Sequence, residues 1–325
     1  MKNKTNYFEL TIPDISAELY QFALRDGEVK LGERVVFRSE TEDWKQCRYH
    51  ILGVQEDVGP QLNGGLPGAK NAFQSFIGRF LSLQANRFIQ GEAIAIHGTI
   101  SFIGSDQASS DMIDDLDDMI TEWVLSVVES GGIPIVIGGG HNNAYGLIKA
   151  ASHLGEKPLS VVNLDPHADT RSMEFRHSGN PFSYAFTAGY LQQYTVLGLH
   201  ESYNNETILN FLTQMKAQVF YYESWLDNVS QFEIDVNQVA TDSLDKPTGV
   251  ELDMDAIAYM PASAFTPSGI SVDQARIYVR KMARNQKVAY LHLPEAAPKN
   301  ETEEKITGKA LAYLVSDFIK VNQKK

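Results

Sequence analysis

The sequence is nearly devoid of cysteine. Cys47 stands alone among 325 residues, so no internal disulfide can form. That usage matches a reducing compartment, and a cytoplasmic setting is expected. No apolar run reaches the roughly 18 residues a membrane-spanning helix needs. The N-terminus, Met1 to Tyr7, lacks the apolar core of a secretory leader. Basic residues are scarce: 28 Lys and Arg face 41 Asp and Glu, a formal charge of −13. This balance excludes a nucleic-acid backbone or an anionic membrane surface as the main partner and leaves a small-molecule substrate. Repeats and linkers are also missing. Hydrophobic residues, at 43%, are ordinary for a globular chain with a large core. The expectation is one domain over residues 1–325, with residues 1–48 as an extension packed on it.

What is present centres on Val161-Val162-Asn163-Leu164-Asp165-Pro166-His167-Ala168-Asp169. A β-branched apolar run reads as a buried strand, and Pro166 ends it because proline cannot donate to a ladder. Asp165, His167 and Asp169 then stand at the carboxyl end of that strand, where open α/β sheets bind ligands. Taken alone, the triplet reads equally well as a polar, helix-capping loop. Two further strand ends decide between the readings. Ile133–Ile137 runs into Gly138-Gly139-Gly140-His141, and Thr248–Leu252 runs into Asp253-Met254-Asp255. Four carboxylates and two imidazoles suit two divalent cations. An oxygen-rich set favours Mn, while the histidines leave Zn and Fe open.

The remaining chain alternates strands and helices, as a doubly wound α/β domain does. Strands are expected at 49–54, 93–100, 194–199, 218–222 and 288–293. Helices are expected near 15–24, 71–84, 106–131, 143–153 and 307–321. A Gly- and Pro-rich loop follows the first core strand, over 55–70, and loops span 172–181 and 261–271. Trp44 is expected at the surface and His97 in the core as a non-ligand. The acidic run Asp114-Asp115-Leu116-Asp117-Asp118 reads as a solvated helix face and not as a metal site.

With these residues in place the chain resembles the ureohydrolases: arginase, agmatinase and formimidoylglutamase. The resemblance rests on Gly138–His141, Asp165–Asp169 and Asp253–Asp255, and runs from about Ile51 to the last helix. It implies a three-layer α/β/α sandwich around a mainly parallel sheet, two Mn2+ ions, and a trimer or hexamer. It also implies roles. Asp165 and Asp253 would bridge the ions, His141 and Asp169 would complete one, and His167 and Asp255 the other. Asp169 would move a proton, and Glu295 would pair with the cationic substrate nitrogen.

Within the family, His177-Ser178-Gly179-Asn180-Pro181-Phe182, the segment Gly198–Asn204, and Arg171 resemble the formimidoylglutamase branch. The implied reaction is hydrolysis of N-formimidoyl-L-glutamate to L-glutamate and formamide, a step of histidine degradation. The substrate carboxylates would need donors, for which Arg171, Ser178, Asn180 and Asn204 are candidates. Arg171 reads equally as half of a structural ion pair. Some positions depart from the family pattern. Pro166 replaces alanine, Asn142-Asn143 replaces Ser or Glu, no Asp-Pro follows Asp255, and Phe182 stands where arginases carry a loop histidine. The other readings are an arginase- or agmatinase-type hydrolase releasing urea, and a metal-binding pseudoenzyme with a regulatory role.

Overall fold

Apolar neighbours along each strand part to opposite faces of a single sheet, as the two-residue period requires. Ile135 and Ile137 enter one buried cluster, and Val136 enters the other. Val162 and Leu164 likewise face away from Val161. In the computed structural model, which describes residues 3–12, 25–39, 42–104, 107–154 and 158–323, this produces three layers. Helices 72–81, 231–242, 272–282 and 301–322 cover one face. Helices 110–129, 144–154, 181–187 and 206–214 cover the other. The helix expected near 15–24 lies outside the described residues.

The strands are β1 (Phe8–Thr11), β2 (Val36–Phe37), β3 (Tyr49–Gln55), β4 (Ile94–Phe102), β5 (Ile133–Ile137), β6 (Leu159–Leu164), β7 (Leu191–Leu199), β8 (Gln218–Tyr221), β9 (Thr248–Leu252) and β10 (Val288–Leu293). Their order is β1-β4-β3-β5-β10-β9-β6-β7-β8, with β2 also beside β4. Among the described residues only β1 runs antiparallel to its neighbour. The expected α/β/α sandwich with a mainly parallel sheet is therefore the observed one. β1 and β2 lie in the stretch read as an irregular extension, and both join the same sheet.

The last helix starts at Glu301, ahead of the expected 307. Asn300 caps it by accepting from the Thr302 and Glu303 N–H groups. Its first turn is acidic and exposed, so apolar periodicity starts only further on.

Trp44 is buried, contrary to expectation. It packs edge-on against His50 and His97 and lies under the Arg38 guanidinium. His97 is buried, as expected, and it belongs to none of the candidate ligand groups among the described residues. Its Nδ1 accepts from Trp123 Nε1–H at 3.1 Å and faces Arg38 at 3.3 Å. Nε2–H must then donate to His50 Nδ1, 2.9 Å away, and His50 Nε2–H to the Cys47 carbonyl. This donor order needs both rings neutral. Burial pulls the His50 pKa down to about 4 and holds His97 well below its usual value.

A base whose folded pKa is depressed binds fewer protons folded than unfolded, so stability is lost as pH falls from about 6.5 toward 4. Thermal melting across that window should show the loss. Replacing His50 by glutamine, which keeps a donor and an acceptor but cannot titrate, should flatten it. An equally steep profile in the variant would refute this account.

Candidate metal centre

Four neighbouring parallel strands, β5, β10, β9 and β6, end side by side. Strand spacing is about 4.8 Å, so residues just past these ends share one small space. After β5 the chain turns through Gly138 (φ 83°) and Gly139 (φ 66°), a left-handed pair that only glycine adopts freely, and delivers His141. After β6, Asp165 Oδ1 accepts the His167 N–H at 2.7 Å. After β9, Asp253 Oδ1 accepts the Asp255 N–H at 2.8 Å. The two segments thus use the same Asx turn to aim alternate side chains into the site. After β10, Glu295 donates its N–H to Gly139 O and accepts the His141 N–H at 2.8 Å. Asp169 (φ 47°) and Glu295 (φ 67°) both hold left-handed backbone, a strained state for residues with a Cβ.

The six expected ligands converge as two groups. His141 Nδ1 lies 3.2 Å from Asp165 Oδ2, 3.0 Å from Asp169 Oδ2 and 3.0 Å from Asp253 Oδ2. His167 Nδ1 lies 3.6 Å from Asp165 Oδ1 and 3.4 Å from Asp255 Oδ2. Within each group the ligand atoms are mutually within 4.8 Å. Asp165 belongs to both and turns one oxygen to each. Adjacent ligands of a small octahedral cation, with bonds of about 2.1 Å, stand about 3.0 Å apart, so the spacing around His141 fits an ion. Asp255 Oδ1 is buried without a hydrogen-bond partner, which suits a ligand oxygen.

The electrostatics make the same demand. Burial works against charge on His141, yet Asp165, Asp169, Asp253 and Glu251 outweigh it and hold the imidazole well above its usual value. His167 is raised too, the Asp255 charge overcoming its burial. Burial disfavours the Asp165 carboxylate, but both imidazoles reverse this and hold it well below the usual range. Asp253 is pushed well above that range by burial and by Asp255 and Asp165. Burial raises Glu295 to about 8. Carboxylates outnumber imidazoles in a dry space, and positive charge must balance them.

A cavity of about 260 Å³ opens onto both groups. Asp169, Glu295, Arg171, Ser178 and Asn204 line it, so the expected catalytic pair and three of the four expected substrate contacts come together. Asn180 does not join them. It is buried, and its amide is fully used: it accepts from the His177 N–H and Arg176 Nη1 and donates to the Ser172 and Phe175 carbonyls. It shapes the loop. Asn204 is similarly occupied, accepting from Ala168 N–H and donating to the Pro166 and His200 carbonyls. It pins the turn that bears His167. Phe182 lies outside the cavity, stacked on Tyr194 and edge-on to His141.

Some cavity residues had no counterpart in the sequence reading. Asn63 donates to Ser178 Oγ at 3.2 Å. A Cβ on Gly179 would sit 2.8 Å from the Asn63 amide and 3.0 Å from Arg171 Cδ, so a larger residue there would push those side chains from their present places. Tyr203 stacks on His167 at 5.4 Å, and Ser263 donates to Glu295 Oε2. The acidic helix also departs from expectation at one residue. Asp117 is buried and takes Arg176 in a bidentate pair, with the guanidinium held between Tyr145 and Tyr184. That pair anchors the loop beside the cavity.

Comparison with known proteins gives one family. A model described as the arginase family matches residues 67–320. The chain is 24% identical to the formimidoylglutamase of Rhodococcus jostii over 288 residues, 83% of this chain and 84% of that one. It is 31% identical to the formimidoylglutamase of Chromobacterium violaceum over 192 residues, 54% of this chain and 60% of that one. Among solved structures, the formiminoglutamase of Trypanosoma cruzi with Mn2+ superposes with a TM-score of 0.76 at 19% identity, over 90% of this chain and 97% of that one.

Two substitutions test the construction of the site. Asp165→Asn should lower the content of both cations by elemental analysis, because the shared carboxylate serves both groups, whereas Asp115→Asn should leave it unchanged. Two ions retained at wild-type affinity in the first variant would disprove the shared role. Asp117→Asn strands a buried guanidinium and should cost about 3 kcal/mol or more in urea unfolding. Asp118→Asn, at the surface pair with Lys149, should cost under about 1 kcal/mol.

Proposed function

The chain belongs to the arginase family, and on that premise we propose that it hydrolyses N-formimidoyl-L-glutamate to L-glutamate and formamide with two Mn2+ ions. One observation supports this most. Two ligand groups sharing Asp165 lie under a cavity that has a carboxylate, Glu295, at its wall and a cationic side chain, Arg171, at its rim. A substrate with a cationic amidine at one end and carboxylates at the other matches that polarity. The formimidoylglutamases among the relatives favour the same substrate class.

His141, Asp165, Asp169 and Asp253 would hold one divalent cation and His167, Asp165 and Asp255 the other, and the pair would supply Lewis acidity and bring a water's pKa toward neutrality. The rest falls to side chains. Glu295 is fixed at one oxygen by the His141 N–H and at the other by Ser263 Oγ, so it meets the amidine N–H groups in one orientation. Asp169, which lines the cavity, takes a proton from the attacking water and returns it to the departing nitrogen. The carbon–nitrogen bond to the amino acid breaks, the amidine carbon keeps the water oxygen as formamide, and the amine leaves as glutamate.

At the rim, no ion pair between Arg171 and a carboxylate is present among the described residues, which supports a role toward the substrate. The guanidinium would take a substrate carboxylate, and Ser178 and Asn63 stand beside it as neutral donors. We take residues 1–325 as one hydrolase domain, since β1 and β2 join the common sheet. A cytoplasmic homotrimer or hexamer is the state we propose from the family resemblance. No described helix is long and apolar enough to cross a membrane.

The deciding experiment is product identification with Mn2+ and, in turn, formimidoylglutamate, arginine and agmatine. Formamide release should dominate. Urea release from arginine or agmatine at a higher kcat/KM would overturn the substrate assignment, and no turnover of any amidine would favour a pseudoenzyme. Arg171→Ala should raise KM for formimidoylglutamate tens-fold, in line with about 2–5 kcal/mol for an unpaired carboxylate, while sparing metal content.

A further inference from the structure

One pleat below the metal ligands lies a second polar layer. Asn163, Glu251 and His292 stand in register across β6, β9 and β10, each paired with the next. Each is a lone polar residue between apolar neighbours: Val162 and Leu164, Val250 and Leu252, Leu291 and Leu293. All three are completely buried. They share the face opposite those neighbours, so Asn163 points the same way as Asp165 and Glu251 the same way as Asp253, two residues on.

The layer connects upward. Asn163 Nδ2 donates to Asp165 Oδ2 at 2.9 Å. Glu251 Oε2 lies 3.5 Å from His141 Nε2 and accepts from His292 Nδ1 at 2.6 Å. Glu251 Oε1 accepts the Tyr290 hydroxyl at 2.7 Å. Tyr290 reaches it only because residue 249 is glycine, since a Cβ there would lie 2.5 Å from the tyrosine ring. His141 Nε2 is buried and makes no hydrogen bond among the described residues, and the Glu251 carboxylate is the acidic group that faces it. The opposite ring nitrogen, Nδ1, is the one aimed at Asp165, Asp169 and Asp253.

We propose that Glu251, steadied by His292 and Tyr290, is a positioning residue that fixes the His141 ring and selectively sets the affinity of the cation held by His141, Asp165, Asp169 and Asp253. The reasoning is geometric and electrostatic. An anion beside Nε2 holds the proton there, leaves the Nδ1 lone pair directed at the ion, and makes the imidazole a stronger donor. A fully buried carboxylate with three potential donors converging on it is costly to keep without such a use. Among the described residues, the only carboxylates in ion-pair contact with His167, the imidazole of the other group, are Asp165 and Asp255 on its Nδ1 side. His167 is partly exposed, with Tyr203 stacked on its face. The two cations should therefore respond unequally to Glu251.

The inference rests on the two-ion reading, and one experiment separates their failures. Metal-stripped full-length protein is titrated calorimetrically with Mn2+. Wild type should take two ions; fewer would defeat the two-ion reading itself. In Glu251→Gln, which keeps size and loses charge, one ion should bind about 10- to 100-fold more weakly and the other as before. Equal weakening of both, or of neither, would overturn the positioning role. Melting of the metal-stripped forms provides the control, because a merely structural residue would lower that melting point without splitting the affinities. Should Glu251→Gln fail to fold, histidine 15N NMR of Zn2+-loaded wild type decides. A downfield, slowly exchanging His141 Nε2–H proton is expected, and a freely exchanging one would overturn the proposal.

Discussion

An excess of buried negative charge governs this molecule. Asp165, Asp253, Asp255 and Glu295 are buried just past the ends of adjacent strands, and Glu251 is buried within one of them. Burying a carboxylate without a partner costs far more than any single packing contact returns. Each must therefore be held by backbone N–H groups, hydroxyls, imidazoles or a cation. Much of the local architecture supplies such partners: the Asx turns of Asp165 and Asp253, the Ser263 hydroxyl on Glu295, and the Tyr290 and His292 donors on Glu251. Two strained residues, Asp169 and Glu295, are tolerated because this packing over-determines them.

The same constraint explains why the metal ligands were readable and the layer beneath them was not. Apolar strands ending in Asp-x-His-x-Asp, Gly-Gly-Gly-His and Asp-x-Asp announce themselves by position. The alternation rule then places the strand interiors in the core, and the two core faces follow it. Glu251 and His292 do not announce themselves in this way, because each sits inside an otherwise apolar strand. That is itself a signal, since a charged residue in a central parallel strand needs a buried partner. Asp117 was hidden differently. Its neighbours Asp114 and Asp118 are exposed, and one helical position turns it inward to an arginine far along the chain. No local pattern reveals such a partner.

Other omissions were legible in principle. Ser271 and Gln274 form a capping box that opens helix 272–282, and the spacing of Phe232, Val236, Val239 and Ala240 marks helix 231–242. Trp44 and the strands β1 and β2 were not legible. Their burial comes from contacts with β4, whose position depends on the whole sheet. Which cavity residues meet also depends on distant segments, as Asn63, Arg171 and Ser178 converge around Gly179.

The position of β10 has a consequence for the order of assembly. β10, which follows the other nine strands of the sheet in sequence, lies between β5 and β9, and it brings Glu295 with it. Until it inserts, β5 and β9 cannot be neighbours across it, and both present unpaired edges of apolar residues. A polypeptide emerging from the ribosome can form much of its secondary structure earlier. The ion-binding end of the sheet closes only after β10 has been made. Any chain shortened before residue 288 would expose two sticky edges in place of a finished catalytic floor, and self-association is its natural fate.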